Sequence, residues 1–322
     1  MQSFPRRRML ALAAASAALV AVPRAFAQRK VNLGVSIPSA DHGFTGGVVW
    51  WANEARKELE KKYPDLKVTV KTARDATEQA AQLQDLVDDA QINALVVFPW
   101  ESAALTKPVQ RVHDKGVYVT VVDRGLLDES GQDAYVSGDS TAFGRVAGEY
   151  MAKAMGGQGD LVALRGIDTP LDNERMGAFA AVLRQHPGMH LLESKYANWN
   201  RDDAFRAMQD LLARHRRIDA VWAADDDMAA GVLQAIDQAK RTDIKLVFGG
   251  AGSKGMVRAL KEGSDPRLQA DVSYSPKFIH DAIKLTAEAR LAGRALPPRT
   301  ILPSLLITRE NARDFYFPDS PY

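Results

Sequence analysis

From Lys30 onward, short runs of β-branched and apolar residues alternate with stretches whose apolar residues recur every three to four positions. This is the pattern of strands buried on both faces, each followed by a helix that packs back against them. The runs predict strands over 30–37 (KVNLGVSI), 66–71 (LKVTVK), 94–98 (ALVVF), 117–122 (VYVTVV), 160–164, 190–196, 218–223 (IDAVWA), 244–248 and 268–273. The longer periodic stretches predict helices over 43–62, 77–91, 102–115, 140–156, 171–186, 201–215, 226–240, 253–262 and 276–293. In the second helix Leu83, Leu86, Val87 and Ala90 fall at i, i+3, i+4 and i+7, one apolar stripe for a sheet.

Repetition of strand and helix predicts an α/β fold with parallel sheets. The pattern counts about four such units, then Ala134 to Gly138, then four or five more. Sheets of this kind stop growing at roughly five or six strands. Two similar doubly wound lobes are therefore expected, joined by several short crossovers near 137–140, near 274, and near 298–303, where Pro297, Pro298 and Pro303 punctuate the chain. The expected division is 28–138 plus 275–298 for the first lobe and 139–274 plus 299–322 for the second.

The pattern before residue 30 is different. Arg6, Arg7 and Arg8 precede 14 uncharged residues, Met9 to Val22, and Ala25-Phe26-Ala27 offers a small-x-small cleavage site before Gln28. Residues 1–27 thus read as a cleaved export signal. A bilayer span needs about 20 apolar residues, so the stretch is short for a membrane anchor. The arginine run fits a twin-arginine route as well as the general secretory one. The chain has no cysteine, which removes lipid attachment to Cys, disulfides and thiolate chemistry. The leader holds four of the 42 basic residues and none of the 40 acidic ones, so the remainder is close to neutral. Nothing in that balance favours nucleic acid.

In open α/β sheets the ligand crevice lies past the carboxyl ends of the strands. The predicted strand ends place His42, Phe44, Trp100, Glu101, Asp123, Arg124, Arg175, Trp199, Asp225 and Tyr274 there. Aromatic faces cover the C–H surface of a sugar ring, and planar bidentate groups bridge adjacent hydroxyls. The set therefore suits a neutral polyhydroxylated ligand. Asp123-Arg124, directly after VYVTVV, is the most specific pair, because a closing lobe would desolvate both charges; a turn ion pair is the bland reading.

Other motifs point elsewhere. Gly250-Ala-Gly252-Ser-Lys-Gly255 matches G-x-G-x-x-G between a strand and a helix, with Asp271 at the distance of a ribose-binding acid. Its place late in the chain, and Asp271 in mid-strand, favour a glycine-rich turn over a dinucleotide site. Asp225-Asp226-Asp227 could hold a hard cation. A division of labour is preferred, with Asp225 toward the crevice and Asp226 or Asp227 capping a helix. His186 and His190 flank Pro187-Gly188, a turn, so they make no helical zinc pair. No G-x-S-x-G elbow is present, while crevice carboxylates leave glycoside hydrolysis open by residue type. No cofactor or metal is expected.

Several blocks together resemble the type I periplasmic sugar-binding proteins, the ribose-binding-like receptors of ABC transporters, over about 30–310. They are VNLGVSIP with Phe44 following, LVVFP (95–99), VTVVDRG (119–125), NERMGAF (173–179) and IDAVWAADDDMAAGVLQAI (218–236). The resemblance implies two lobes that close on a monosaccharide or polyol and then present it to an inner-membrane permease. It implies that Phe44 sandwiches the sugar, that His42 makes a polar contact from the same loop, and that Asp123 and Arg124 bind ring hydroxyls and the ring oxygen. Arg175, Trp199 and Asp225 match contacts from the second lobe. With the export signal and no cysteine to carry a lipid, a Gram-negative periplasm is expected, and a monomer, with a chemoreceptor or sensor kinase as an additional partner. An exported oxidoreductase or glycosidase acting on a sugar is the alternative. Three departures set the chain apart from ribose binders: Gly249-Gly250-Ala251-Gly252 replaces a G-F-D-G turn, Tyr274 stands in place of Gln, and Phe98 in place of Asn. The tail FYFPDSPY departs as well, and suits receptors for other sugars or polyols.

Overall fold

The computed structural model describes residues 29–40 and 43–322. The leader 1–27 and His42 lie outside the described residues. The first lobe alternates as the periodicity predicts: β1 (Val31–Pro38), α1 (Gly43–Lys62), β2 (Leu66–Ala73), α2 (Ala76–Asp88), β3 (Ala94–Val97), α3 (Ser102–Asp114), β4 (Tyr118–Val122) and β5 (Ala134–Gly138). The chain then crosses over and builds α4 (Ser140–Ala154), β6 (Gln158–Arg165), α5 (Pro170–Leu183), β7 (Gly188–Tyr196), α6 (Arg201–Arg214), β8 (Ala220–Ala223), α7 (Asp226–Gln238), β9 (Leu246–Phe248), α8 (Lys254–Glu262) and β10 (Ala270–Val272). It returns through α9 (Phe278–Leu291) and β11 (Arg299–Leu302), and crosses a third time to β12 (Leu306–Thr308).

The first sheet has the order β11-β5-β4-β3-β1-β2, parallel throughout. The second has the parallel order β7-β6-β8-β9. Single bridges, Val247 to Leu268 and Ala251 to Ser273, lead from its edge toward the antiparallel pair β10-β12. The helix starts are written in the sequence: Asp75, Asp139, Thr169, Asn200, Asp225 and Ser253 each accept a hydrogen bond from an N–H in the first turn of their helix. Each such cap is worth about 1 kcal/mol.

One expected boundary needs correction. The proposed division at 298/299 falls inside the first lobe, because Arg299–Leu302 pairs with Tyr135–Gly138 as the edge strand of the first sheet. Pro297 and Pro298 mark the start of an edge strand, where a missing N–H is tolerated, and the Pro298 carbonyl accepts from Tyr135 N at 2.9 Å. The third crossover therefore runs through Pro303 to Leu305.

One apolar cluster covers the α1/α9 face of the first sheet and continues through the second lobe, while a separate cluster lies between the first sheet and α2/α3. In the second lobe Trp222, on β8, is 1% exposed and stacks on Phe179 of α5 with ring centroids 4.1 Å apart. Replacing Trp222 with Ala should lower unfolding stability by about 3–5 kcal/mol. A denaturant midpoint within error of the parent chain would show that this stack does not hold α5 to the sheet.

Candidate ligand-binding site

The carboxyl ends of both sheets face each other across a pocket of about 400 Å³, counted to its opening, lined by Phe44, Phe98, Asp123, Arg124, Leu171, Arg175, Trp199, Asp225, Ala251 and Tyr274. Seven of the ten sequence-predicted residues meet there. Trp100 and Glu101 do not; they line an adjoining outer cleft of about 1130 Å³ that shares Arg124 and Trp199 with the pocket. His42 cannot be placed, since it is outside the described residues.

Asp123 directly follows β4 and takes a left-handed backbone conformation, φ 62°, which Asp adopts more readily than most residues. The turn is pinned on both sides: Asp123 N donates to Val136 O at 3.0 Å, and Tyr135 Oη donates to the Asp123 carbonyl at 2.5 Å. Its carboxylate accepts from Tyr274 Oη at 2.5 Å, and Tyr274 Oη also lies 3.2 Å from Ser137 Oγ. Burial pushes the Asp123 carboxyl up, against the opposing pull of the Tyr274 hydroxyl and of the Arg124 and Arg175 charges. Burial, then the Asp123 charge, holds the Tyr274 phenol well above its usual range. The ring of Tyr274 needs the bare Gly138 beside it, because a Cβ there would stand 2.2 Å from Tyr274 Cε2.

The two arginines are held by aromatic faces. Arg124 lies 5.1 Å from the Phe98 ring centre and 5.9 Å from that of Trp199, and its Nη1 donates to the Trp100 carbonyl at 2.5 Å. Arg175 is 5% exposed, with its guanidinium carbon 4.1 Å from the Phe143 ring centre and 4.4 Å from that of Tyr274. One of its nitrogens reaches the Ala224 carbonyl at 3.4 Å, but Arg175 Nε is buried with no partner. Trp199 Nε1 is in the same state. Its indole lies against Gly166, where a Cβ would fall 1.9 Å from Trp199 Cε2. The loop under it is tied by Asp172, which pairs with Arg165 at 2.5 Å and accepts from Gly166 N at 2.9 Å.

The triple aspartate divides its work differently from the expectation. Asp225 both lines the pocket and caps α7, accepting from Met228 N at 3.1 Å. Burial, followed by its two acidic neighbours, raises its carboxyl well above the ordinary range. Asp226 turns inward and accepts from Gly250 N at 2.8 Å and Ser253 N at 2.6 Å; Asp271 accepts from Gly252 N at 3.1 Å and Val272 N at 2.7 Å. The amides that a dinucleotide phosphate would need are thus already bound by carboxylates, and the G-x-G-x-x-G run is a structural turn. Among the described residues no group of His, Cys, Asp and Glu is arranged to hold a metal ion.

Phe98, Leu171 and Ala251, which the sequence places at or just past strand ends without singling them out as contacts, also wall the pocket, and Phe143 is an unforeseen second ring on Arg175. Phe98 carried a signal, since it ends a predicted strand. Phe143 lies one turn inside α4, and nothing local marks it.

A family model described as a periplasmic binding protein domain matches residues 33–277. The chain is 26% identical over 285 residues to the ribose import binding protein of Bacillus subtilis, covering 88% of this chain and 89% of that one. It is 31% identical over 191 residues to the xylitol-binding protein of Mycolicibacterium smegmatis, covering 59% of this chain and 54% of that protein. A solved ABC transporter solute binding protein from Mycobacterium smegmatis, with bound glycerol, matches at TM-score 0.79 and 26% identity over 90% of this chain and 98% of that one.

The buried acids give the site's lobe a pH signature. Burial raises the Asp271 carboxyl from its ordinary 3.8 to about 7. The folded chain therefore holds a proton that the unfolded chain has released, so this stabilisation is full below about pH 4 and is lost as pH rises to about 7. In Asp271→Asn the fall in melting temperature between pH 5 and pH 7.5 should be shallower than in the parent, even though the variant starts lower. Parallel slopes would mean that Asp271 is already ionised at pH 5.

Proposed function

The chain belongs to the periplasmic binding protein family, and from that premise we propose that it captures a monosaccharide or sugar alcohol between its two lobes and delivers it to an inner-membrane ABC permease. The observation that carries the ligand class is a pocket lined at once by aromatic faces, by the carboxyl groups of Asp123 and Asp225 and by the guanidinium groups of Arg124 and Arg175, two of whose lining residues, Arg175 and Trp199, keep an unpartnered buried N–H. Two carboxyl groups and two guanidinium groups give the pocket hydrogen-bond acceptors and donors side by side. Hydroxyl groups can accept from the donors and donate to the carboxylates at once. The faces of Phe44 and Trp199 suit the C–H surface of a ring or polyol chain.

The relatives bear on the class, being named for ribose import and for xylitol binding, with glycerol bound in the solved neighbour. The departures at Phe98, Tyr274 and Gly249–Gly252 favour a sugar or polyol other than ribose. Phe44, Asp123, Arg124 and Tyr274 are proposed as ligand contacts from the first lobe and the crossover, and Arg175, Trp199 and Asp225 as contacts from the second. Trp100 and Glu101 would guard the entrance. Export by residues 1–27, by either route, to a periplasm, a monomeric state and signalling through a chemoreceptor or sensor kinase complete the proposal.

Titration calorimetry against a panel of pentoses, hexoses and polyols tests it. One or more should bind, and Asp123→Ala or Arg175→Ala should weaken the best ligand by about 5- to 150-fold, the effect of leaving a buried partner unpaired at about 1–3 kcal/mol. Binding confined to amino acids or acidic ligands would overturn the reading.

A further inference from the structure

The segment from Ala312 to Tyr322 touches both sides of the crevice. On the second-lobe side, Lys254 Nζ at the start of α8 donates to the Ser320 carbonyl at 2.6 Å and to the Pro318 carbonyl at 3.3 Å. On the first-lobe side, Phe317 meets the Trp51 ring edge-on at 5.4 Å. Tyr322 stands edge-on against Phe44, with ring centroids 5.7 Å apart. α1 is cut away to receive that ring: a Cβ on Gly43 would fall 2.9 Å from Tyr322 Cδ2, and one on Gly47 2.9 Å from Tyr322 Cβ. The same added atom on Gly47 would fall 2.6 Å from Pro276, on the second crossover.

Tyr322 is only 7% exposed, and its hydroxyl is buried without a partner. A residue that forgoes a hydrogen bond while filling a groove made by two glycines is held there by its ring, since an unmet hydroxyl opposes burial. Phe44 has three aromatic neighbours, Tyr274, Phe278 and Tyr322. The first two come from the crossover and α9; the third comes from a segment gripped by the second lobe.

We infer that Ala312–Tyr322 acts as a fourth, non-covalent connection between the lobes beside the three crossovers, and that Tyr322 is a positioning residue which seats Phe44 for ligand stacking. The inference deepens the ligand-binding reading and rests on it only for the role of Phe44; the interlobe connection stands without it. Breaking either end of the segment should give the same result. Loss of the Lys254 grip, at a residue that does not line the pocket, should loosen the Phe44 seat just as loss of the Tyr322 ring does.

The experiment compares Tyr322→Ala, Tyr322→Phe and Lys254→Ala with the parent in the full chain. Amide hydrogen exchange over α1 residues 43–51 and small-angle scattering are measured without ligand, and sugar dissociation by stopped flow. Tyr322→Ala and Lys254→Ala should speed exchange in the first two turns of α1 by about tenfold or more, enlarge the radius of gyration, and shorten residence of the best sugar. Tyr322→Phe should stay within about twofold of the parent on all three readouts. Should Lys254→Ala leave exchange over 43–51 unchanged, the connection is refuted, whether or not Tyr322→Ala folds. If Tyr322→Phe behaves like Tyr322→Ala, the hydroxyl and not the ring carries the effect, and the seating role falls. If the parent binds none of the sugars, the ligand reading fails by itself, and the exchange and scattering results still decide the connection.

Discussion

The hydrogen bond from Tyr274 Oη to the Asp123 carboxylate is the constraint on which the rest of the site depends. Asp123 belongs to the first lobe, Tyr274 leaves the second, and Arg175 of the second lobe lies over the Tyr274 ring. Three functional groups are thereby set by a single contact at a crossover, where chain connectivity already limits motion. Around it everything is braced: Gly138 makes room for the ring, Ser137 touches the hydroxyl, and Tyr135 holds the carbonyl of the strained Asp123. A charge buried this deeply is tolerated only with such partners.

The parallel sheets and their helices were legible because their signal is local and repeated. A strand buried on both faces is a continuous apolar run, and a helix against it carries one stripe, as in Leu83, Leu86 and Val87. The rule that crevices form at strand carboxyl ends then brought seven distant residues together from one dimension. The misses have a different physical origin. Arg299–Leu302 lies at a sheet edge, half exposed and flanked by prolines, so its sequence looks like a linker. Phe143 and Tyr322 act through long-range packing that no window of sequence contains. Trp100 and Glu101 also end a strand, yet the helix that begins at Ser102 carries them to the mouth of the crevice.

The glycine run illustrates how one motif can serve opposite chemistries. Amides at the head of a strand-to-helix turn attract anions, and in many folds the anion is a ligand phosphate. Here the acceptors are the carboxyl groups of Asp226 and Asp271, contributed by the chain itself. They tie the start of α7, the 249–253 loop and β10 into one unit directly behind Asp225. The raised Asp271 carboxyl follows from burial first, with the Asp225 charge behind it, against the opposing pull of the Val272 and Gly252 amides and of Asp226. Sequence alone could not separate the two uses, because both need glycine where backbone and anion meet.

Closure of a two-lobed receptor must be unfavourable enough without ligand to keep the site accessible, and favourable with it. On the proposed reading Arg175 Nε contributes to that difference: it is buried on the second lobe with no protein partner, whereas Trp199 Nε1, also unpartnered, lies against Gly166 of its own lobe. A buried donor left unpaired costs about 1–3 kcal/mol, and a ligand hydroxyl that pairs with it removes the cost. Moving a two-state equilibrium from about 1:99 to 99:1 takes about 5.5 kcal/mol. One such donor therefore covers only part of the shift, and the rest falls to the ligand's other contacts across the crevice, with the crossover contact between Tyr274 and Asp123 fixing the geometry into which the lobes close.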